Sequence, residues 1–169
     1  MIEDARKIAS RGMAIFPCKG KIPLTAHGCL DATTDLAKVE AWWTLWSDAN
    51  IAIATGAKSG VWVLDIDADK GGEQSLTKLE REHFAISPTV ESITGGGGRH
   101  LFFRLPDFDE APEIRNSAGK LAPGIDVRGD GGYVIAPPSI HPDTKRAYRW
   151  SVDSASKFAD APVWLIALI

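Results

Sequence analysis

Two aspartates stand two positions apart at the end of an apolar segment, residues 61–67. Side chains at positions i and i+2 of a β-strand point to the same face, so the carboxylates of Asp65 and Asp67 should lie side by side. Neighbouring carboxylates repel each other unless a positive charge lies between them. A divalent cation is the simplest such charge, and carboxylate oxygens suit Mg²⁺ or Mn²⁺. The pair therefore favours a two-metal site for phosphoryl chemistry over a strand end with solvated acids.

A run of four glycines, residues 95–98, is followed directly by Arg99 and His100. Glycines let the backbone approach a ligand closely and turn its N–H groups toward an anion. Arg99 adds a bidentate phosphate donor, and His100 could donate to a phosphate oxygen. The segment favours phosphate binding over a flexible hairpin loop beside a structural histidine. It is not a Walker A loop, because no Gly-Lys-Ser/Thr follows at the required spacing.

Two later segments could add groups to such a site. Asp126 and Arg128 would share one face of a strand, where Asp126 could be a third metal ligand and Arg128 could hold it or a phosphate. Ser139 and His141 follow a pair of prolines, and a structural turn explains them as well as a nucleotide contact does. Asp130 lies in a glycine-rich turn, where aspartate is favoured for local reasons, so we interpret it as structural. Asp69 receives the same interpretation, because two glycines follow as the strand ends.

The bulk composition limits the classes of protein that are possible. A hydrophobic content of 44% is ordinary for a globular protein, and the net charge of −3 argues against a large basic surface. No apolar run is long enough to cross a bilayer, and the start of the chain is not a signal peptide. The two cysteines lack a second Cys/His pair for zinc and favour a reduced, cytoplasmic setting. A local basic groove could still form from seven residues: Lys19, Lys21, Arg99, Arg104, Arg115, Lys120 and Arg128.

The pattern of apolar residues predicts helices and strands in an irregular alternation. Helices are expected at residues 3–11, 35–46, 73–83 and from 161 onward. Strands are expected at residues 13–17, 50–55, 60–67, 90–94, 100–105, 125–128, 133–136 and 147–150. Residues 56–59, 95–99 and 129–132 are interpreted as hairpin turns, and residues 18–34 and 107–119 as loops. Since strands outnumber helices and adjoin through tight turns, we predict an α+β class with a mainly antiparallel sheet.

Tryptophan is concentrated in the second predicted helix. Trp42, Trp43 and Trp46 follow helical spacing with Leu36 and Val39, which predicts a broad apolar stripe that faces the core. One of the three indoles could instead be exposed as a platform on which a base stacks.

Three of these segments, in this order, resemble the bifunctional DNA primase/polymerase N-terminal domain of plasmid, phage and prophage replication proteins. They are the segments 64–67, 96–100 and 124–128, and the resemblance covers most of the chain, from Gly20 to Trp150. That domain belongs to the archaeo-eukaryotic primase superfamily. The resemblance implies a fold like a primase small subunit, in which an RRM-like sheet carries the catalytic acids and joins an α/β lobe. Some relatives insert a zinc-binding stem, but this chain has no Cys/His set for one, so we expect no structural zinc.

The resemblance also implies an activity, template-directed nucleotidyl transfer by a DNA primase or DNA polymerase. It implies that Asp65, Asp67 and Asp126 hold Mg²⁺ or Mn²⁺, and that His100, with Arg99 close by, binds the triphosphate of the incoming nucleotide. From the residues themselves we expect Arg128 to neutralise charge at the metal site. Four residues have less specific expected roles: Ser139 and His141 as nucleotide contacts, and Lys21 and Lys120 as template contacts.

The expected partners are nucleoside triphosphates, a single-stranded or primed DNA template, and a helicase region that follows in the same polypeptide; no membrane is expected. The chain ends in an apolar segment, residues 163–169, which we interpret as a single catalytic domain, residues 1–169, cut from a longer replication protein. Two other functions remain open. One is a metal-dependent nuclease or other phosphotransferase, which would need no nucleoside triphosphate. The other is a non-catalytic module for single-strand DNA binding or replisome docking, against which the intact set of acids and histidine argues.

Overall fold

The computed structural model describes residues 1–108 and 111–169. Within them the four helices are α1 (Ile2–Ser10), α2 (Leu36–Leu45), α3 (Gly72–Glu82) and α4 (Val163–Leu168). The ten strands are β1 (Ile15–Lys19), β2 (Ile22–Pro23), β3 (Asn50–Ala54), β4 (Val61–Ile66), β5 (Val90–Ile93), β6 (Arg99–Arg104), β7 (Ser117–Ala122), β8 (Ile125–Arg128), β9 (Tyr133–Ala136) and β10 (Arg149–Trp150). Short 3₁₀ helices span Gly28–Asp31 and Ala68–Lys70.

The strands form two antiparallel sheets. The smaller sheet has the order β2-β1-β3-β9, and the larger has the order β10-β5-β6-β4-β8-β7. All the strand pairs in both sheets are antiparallel. The prediction of an α+β fold with mainly antiparallel sheets is therefore confirmed.

Helices α1 and α2 pack on the smaller sheet. The Asp35 carboxylate accepts a hydrogen bond from the Ala37 N–H at 2.9 Å, which caps the start of α2. Val39 and Trp43 are buried in the core that also receives Ile8 from α1. The predicted apolar stripe is confirmed for these two residues of α2. Of its other members, Trp42 and Trp46 are half-buried against the same core, and Leu36 is exposed.

Strand β4 lies inside the larger sheet and is buried on both faces. Trp62, Leu64 and Ile66 face one way, into a core with Leu76 of α3 and Leu165 of α4. Val61 and Val63 face the other way, into the core shared with the smaller sheet. The continuous apolar run before Asp65 therefore reflects burial on two sides, and Asp65 extends the row of Val61 and Val63.

Two of the three predicted hairpins are wrong. Residues 56–59 and 129–132 each connect strands of different sheets, because β3 and β9 belong to the smaller sheet and β4 and β8 to the larger. The two crossovers pack against each other: Asp130 accepts a hydrogen bond from the Ala57 N–H at 2.7 Å, and a Cβ on Gly56 would overlap Asp130. A short glycine-rich turn signals a change of direction but not the partner of the next strand. The third predicted hairpin is confirmed, since β5 pairs with β6.

The two predicted loops contain more structure than the sequence suggests. Residues 18–34 include the end of β1, all of β2 and a 3₁₀ helix. Residues 117–119 belong to β7, so the loop prediction is wrong there. The side chains of these residues have little intrinsic preference for a strand. They form a strand because they pair with β8. Residues 109 and 110 of the second predicted loop lie outside the described residues. Within the part of the chain that the structure describes, no helix is long and apolar enough to span a membrane.

Candidate active site

Four side chains form a row across one face of the larger sheet. Asp65 lies directly opposite His100 of β6 on one side and Asp126 of β8 on the other. His100 in turn lies opposite Ser92 of β5. Residues that face each other on adjacent strands point to the same side of a sheet. Pairing of three strands that are distant in sequence therefore places two carboxylates and an imidazole next to one another.

Arg128 lies between the two carboxylates of this row. Its guanidinium donates hydrogen bonds to Asp65 at 3.2 and 3.3 Å and to Asp126 at 2.8 Å. Asp126 also accepts a hydrogen bond from the Gly119 N–H at 2.8 Å. Like charges on directly opposed strand positions destabilise a sheet, and here a protein cation neutralises them.

Asp67 follows the end of β4 and has its own cation. Its carboxylate accepts a hydrogen bond from the Asp69 N–H at 3.2 Å, which caps the 3₁₀ helix, and it forms an ion pair with Lys70 at 2.7 Å. The expectation that Asp65 and Asp67 lie on one face of a single strand is therefore only partly met, because the strand ends between them. Both residues nevertheless line the same cavity.

His100 is almost entirely buried, with 5% of its surface exposed. Its Nε2 lies 3.5 Å from the Asp65 carboxylate, and its Nδ1 lies 3.4 Å from the Ser92 hydroxyl. The aromatic ring of Tyr148 lies between His100 and His141, with ring centroids 6.1 and 6.0 Å away. These contacts hold the imidazole of His100 in one orientation beside Asp65.

The glycine run packs closely against two neighbouring segments. A Cβ on Gly95 would overlap His141 and the backbone of Arg146, and one on Gly98 would overlap the Ile66 carbonyl. These two glycines are thus needed for close backbone contact. Gly96, in contrast, lines the cavity, and a Cβ on it would make only ordinary contacts with Thr94 and His141, at 3.6 and 3.7 Å.

His141 faces the glycine loop from the other side. Its Nδ1 accepts hydrogen bonds from the backbone N–H groups of Asp143 and Thr144 at 3.3 and 3.4 Å. The neutral ring therefore carries its proton on Nε2, the atom that lies toward Gly96. Burial lowers the pKa of His141 and so favours the neutral form. His141 is in position to donate a hydrogen bond into the cavity without a charge.

An open cavity of about 530 Å³ lies between the two sheets, and most of these groups line it. Of the residues that the sequence singles out for the site, the structure brings six together around it: Asp65, Asp67, His100, Asp126, Arg128 and His141. Lys21, expected as a template contact, also lines it, whereas Lys120 does not.

Arg99 and Ser139 do not line the cavity. Arg99 alternates with His100 on β6 and points to the opposite face, where its guanidinium binds the Glu73 carboxylate at 2.7 and 2.8 Å. This ion pair joins β6 to α3. Ser139 is fully buried, and its hydroxyl accepts a hydrogen bond from the Ile51 N–H at 2.8 Å. Ser139 thus fastens the segment after β9 to the smaller sheet.

The predicted basic groove does not form as one surface. Arg99, Arg104 and Arg115 each form an ion pair, with Glu73, Asp160 and Glu113 respectively. Of the seven basic residues considered, Lys21 and Arg128 are the two that line the cavity.

The chain matches the family model of the bifunctional DNA primase/polymerase, N-terminal domain, over residues 5–164. The chain belongs to this family. A search of curated proteins finds no match. Membership of the primase/polymerase family establishes nucleotidyl transfer of the DNA primase/polymerase type as the activity, and the binding of nucleotides and a DNA template with it.

Enzymes of the primase/polymerase family generally use divalent metals, and the donor set of this chain suits them. Asp65, Asp67 and Asp126 supply only carboxylate oxygens and line a single cavity. In residues 1–108 and 111–169, however, no three His, Cys, Asp or Glu side chains converge on a point where one ion could be held. Instead, Arg128 forms ion pairs with Asp65 and Asp126, and Lys70 forms one with Asp67. The carboxylate donor set therefore suits a divalent cation in its chemistry, but in this structure these carboxylates are bound by protein cations.

Sequence reasoning missed three residues of this candidate site. Lys70 could have been found, because it follows Asp67 at the i+3 spacing of an ion pair. Tyr148 lies in a short segment of mixed polarity, residues 145–150, and carries no signal of its role. Thr144 holds the glycine loop, since its hydroxyl donates to the Gly95 carbonyl at 2.8 Å, and only the tertiary structure brings these two residues together.

The charge environment of Asp65 predicts a specific loss of stability in acid. Burial alone would raise the pKa of its carboxyl, but the hydrogen bond and charge of His100, together with Arg128, outweigh burial and lower the pKa to about 2. A carboxyl whose pKa is lower in the folded state than its unfolded value of about 3.9 stabilises the fold above that value. This contribution is lost as the pH falls through the folded pKa.

We expect the free energy of unfolding of the parent to fall by about 2 kcal/mol more than that of Asp65→Asn between about pH 5 and pH 2. Urea titrations of both proteins at several pH values measure the difference, and the other carboxyls cancel in the comparison. Parallel pH profiles for the two proteins would show that Asp65 is not held ionised by its neighbours.

Proposed function

We propose that this chain performs template-directed nucleotidyl transfer in the replication of a plasmid, phage or prophage. A 3′-hydroxyl attacks the α-phosphate of an incoming nucleoside triphosphate, and pyrophosphate leaves. The observation that supports this proposal best is the convergence of Asp65, Asp126 and His100 in one row across three strands, at the floor of an open cavity.

The carboxylates have the first role. Asp65, Asp67 and Asp126 would hold Mg²⁺ or Mn²⁺. When bound, these ions supply the positive charge that makes a hydroxyl more nucleophilic and neutralises a leaving pyrophosphate. Asp65 and Asp126 face the cavity from paired positions on β4 and β8, which keeps the reorganisation required for catalysis small.

The cations that now neutralise the carboxylates have the second role. Arg128 and Lys70 lose their partners if Asp65, Asp126 and Asp67 bind metal, and both side chains line the cavity. A triphosphate entering the cavity would offer them new anionic partners. In this proposal the arrival of a nucleotide and the release of the carboxylates are linked.

The histidines and the glycine loop have the third role. His100 would bind the triphosphate from beside Asp65, and His141 would donate from its Nε2 on the opposite side of the glycine loop. Gly96 has no side chain and lines the cavity, so a phosphate there could approach its backbone. We assign Arg99 and Ser139 to positioning, since their hydrogen bonds hold β6 and the segment after β9 in place.

The larger protein is also part of the proposal. We propose that the domain acts in the cytoplasm, on a single-stranded or primed DNA template, beside a helicase region of the same polypeptide. The resemblance of the segments around Asp65, His100 and Asp126 to replication proteins supports this context, and both cysteines are free thiols.

A primer-extension assay combined with a de novo priming assay tests the proposal. The purified chain is incubated with a primed or unprimed template, nucleoside triphosphates, and Mg²⁺ or Mn²⁺. Elongated products that require all of these components support nucleotidyl transfer. Cleavage of the labelled DNA without triphosphates would instead show a nuclease, and DNA binding without incorporation would show a non-catalytic module.

The position of His100 predicts separate effects on nucleotide and metal. His100→Ala removes a group that faces the cavity but no carboxylate, so we expect nucleotide binding to weaken about tenfold or more, as expected for the loss of one hydrogen bond to a charged group. Mn²⁺ binding should change by less. Calorimetric titrations with a non-hydrolysable triphosphate and with Mn²⁺ alone measure the two effects.

His27→Ala is a matched control, because His27 is an exposed histidine outside the cavity. Equal nucleotide titrations for His100→Ala and the parent would refute the triphosphate role of His100.

A further inference from the structure

A second cavity, of about 700 Å³, lies on the same face of the larger sheet as Asp65 but toward the other end of β4 and β6. Its lining includes Phe102 and Arg104, which lie opposite Val63 and Val61. The rise of a strand places Val61 about 13 Å from Asp65. The residues that line this second cavity and the residues that line the candidate active site do not overlap.

Aromatic side chains form the floor and one wall of the second cavity. The ring of Phe102 lies 5.9 Å from Trp150 and 6.2 Å from Phe158, measured between ring centroids. Phe102 is buried, but Trp150 has 41% of its surface exposed. Trp150 pairs with Ser92 and so lies on the face of the sheet that carries His100. An indole face is therefore open within a concave apolar site.

The rim of the second cavity is positively charged. Arg11 and Lys157 are exposed there, and within the described residues neither forms an ion pair. Arg104 is also on the rim but is paired with Asp160 at 2.7 Å. Among the residues that the structure describes, no Asp or Glu lines the cavity. In a chain with a net charge of −3, this local excess of positive charge favours an anionic ligand.

The wall that closes the second cavity is held by several hydrogen bonds. The N–H of Ala155 donates to the Thr89 carbonyl at 3.0 Å, and the N–H of Ala159 donates to the Thr89 hydroxyl at 3.0 Å. The Arg104 N–H donates to the Ala159 carbonyl at 3.0 Å, and the Thr89 hydroxyl itself donates to the Phe102 carbonyl. The cavity is therefore preformed, so a ligand would bind without the cost of ordering this segment.

We propose that this second cavity binds one base of single-stranded DNA, stacked on Trp150, while the neighbouring phosphates contact Arg11 and Lys157. Every base has a face that can stack on an aromatic side chain, so such a site tolerates any sequence, as a template requires. The proposal rests on the proposed function, because the bound strand would be the template that the active site copies. The second cavity would give that template another contact on this domain. An apolar peptide would leave the two cations of the rim without partners.

Binding of a labelled oligothymidylate, measured by fluorescence anisotropy without metal or nucleotide, tests the proposal. Trp150→Ala should weaken binding about fivefold or more, which is the low end of the measured range for stacking of one base. The double variant Arg11→Gln/Lys157→Gln should also weaken binding. It should reduce the slope of log Kd against log salt by about 1.4, since each lost phosphate contact on a single strand removes about 0.7.

Two control variants remove an exposed aromatic side chain, or two positive charges, elsewhere on the chain. Phe84→Ala removes an exposed aromatic side chain after α3, and Lys78→Gln/Arg81→Gln removes one lysine and one arginine from α3. None of these three residues lines the second cavity. Both controls should leave Kd within about twofold of the parent and the salt slope unchanged. Equal weakening by the α3 double variant would overturn the proposal, because it would show that only net charge matters.

Crosslinking and competition separate the possible sources of a base. An oligonucleotide that carries 5-iododeoxyuridine should crosslink to Trp150 or Phe158 on irradiation, as identified by mass spectrometry of the peptides. A free mononucleotide is added at a concentration equal to that at which the oligonucleotide saturates the protein. Displacement of the oligonucleotide by this mononucleotide would overturn the proposal in favour of a small-molecule site. Crosslinks only at other residues would also overturn it.

These measurements remain informative whatever the active site does. They use neither metal nor triphosphate, so a chain that fails to extend primers can still bind DNA at Trp150. Conversely, a chain that extends primers normally but binds oligothymidylate equally well with and without Trp150 would refute this inference alone.

Discussion

Replacing Asp65 with asparagine is expected to lower the rate of nucleotide incorporation about a thousandfold or more, while the domain stays folded. Asp65 lies at the centre of the row with His100 and Asp126, so its carboxylate is the one that most of the site contacts. Asparagine keeps the shape but removes the charge, and the loss of metal-based stabilisation of the transition state is worth several kcal/mol. Primer extension measures the rate, and circular dichroism with urea unfolding measures the fold.

The matched control for Asp65→Asn is Asp48→Asn, an exposed aspartate that does not line the cavity. It should extend primers within about twofold of the parent. Near-normal extension by Asp65→Asn would remove the metal role from this residue. A direct measurement of Mn²⁺ binding by electron paramagnetic resonance should show weaker binding for Asp65→Asn, which ties the lost activity to the proposed ligand.

Arg128→Gln is expected to reverse the balance between protein cation and metal. In the parent, the guanidinium neutralises Asp65 and Asp126, so a divalent ion must displace it. Without Arg128 two half-buried carboxylates face each other across adjacent strands, and we expect the fold to lose about 1–3 kcal/mol at neutral pH without metal. Mn²⁺ should restore this stability, and the increase in melting temperature on adding Mn²⁺ should be larger in the variant than in the parent.

Thermal unfolding with and without Mn²⁺ measures this reversal, and Arg115→Gln is the control. Arg115 forms an exposed ion pair with Glu113, so its loss removes the same charge but should change stability by less than about 1 kcal/mol. A second measurement follows from the proposed function: Arg128→Gln should bind a non-hydrolysable triphosphate more weakly than the parent. Equal stabilisation of parent and variant by Mn²⁺ would show that Arg128 does not compete with metal for the carboxylates.

The elements around the site could largely be predicted from local sequence patterns. The apolar run before Asp65 forms β4, the spacing of Val39 and Trp43 forms α2, and the glycine run connects β5 and β6. These are properties of short segments, in which periodicity and glycine content suffice. The resemblance of three segments, in their order, to a known family also predicted the family, which the match over residues 5–164 establishes.

The connections between the sheets could not be predicted in the same way. Residues 56–59 and 129–132 have the composition of hairpin turns, yet each takes the chain from one sheet to the other. The close approach of Gly56 to Asp130 shows why glycine is needed there: the two crossovers lie against each other. A glycine signal in the sequence is the same whether the close neighbour is the next strand or a distant loop.

Arg99 shows an inference that depends on where a strand begins, since the predicted strand starts at His100 and the structure starts β6 at Arg99. Arg99 and His100 are adjacent on β6, so their side chains must point to opposite faces of the sheet. If His100 faces the cavity, Arg99 cannot, and the structure places it on Glu73 of α3. Both side chains can bind phosphate, but their adjacent positions on β6 leave only His100 in the cavity.

The sequence by itself determined that this chain carries aspartates at the end of a buried strand, a histidine after a glycine loop, and the family to which these belong. Only the tertiary structure decided that Asp126 and His100 lie on either side of Asp65, because that depends on which strands pair and in what register. It also decided what lies between the carboxylates. The sequence predicted a positive charge between Asp65 and Asp67, whereas in this structure Arg128 lies between Asp65 and Asp126, and Lys70 pairs with Asp67, because tertiary pairing decides which cation reaches which buried carboxylate.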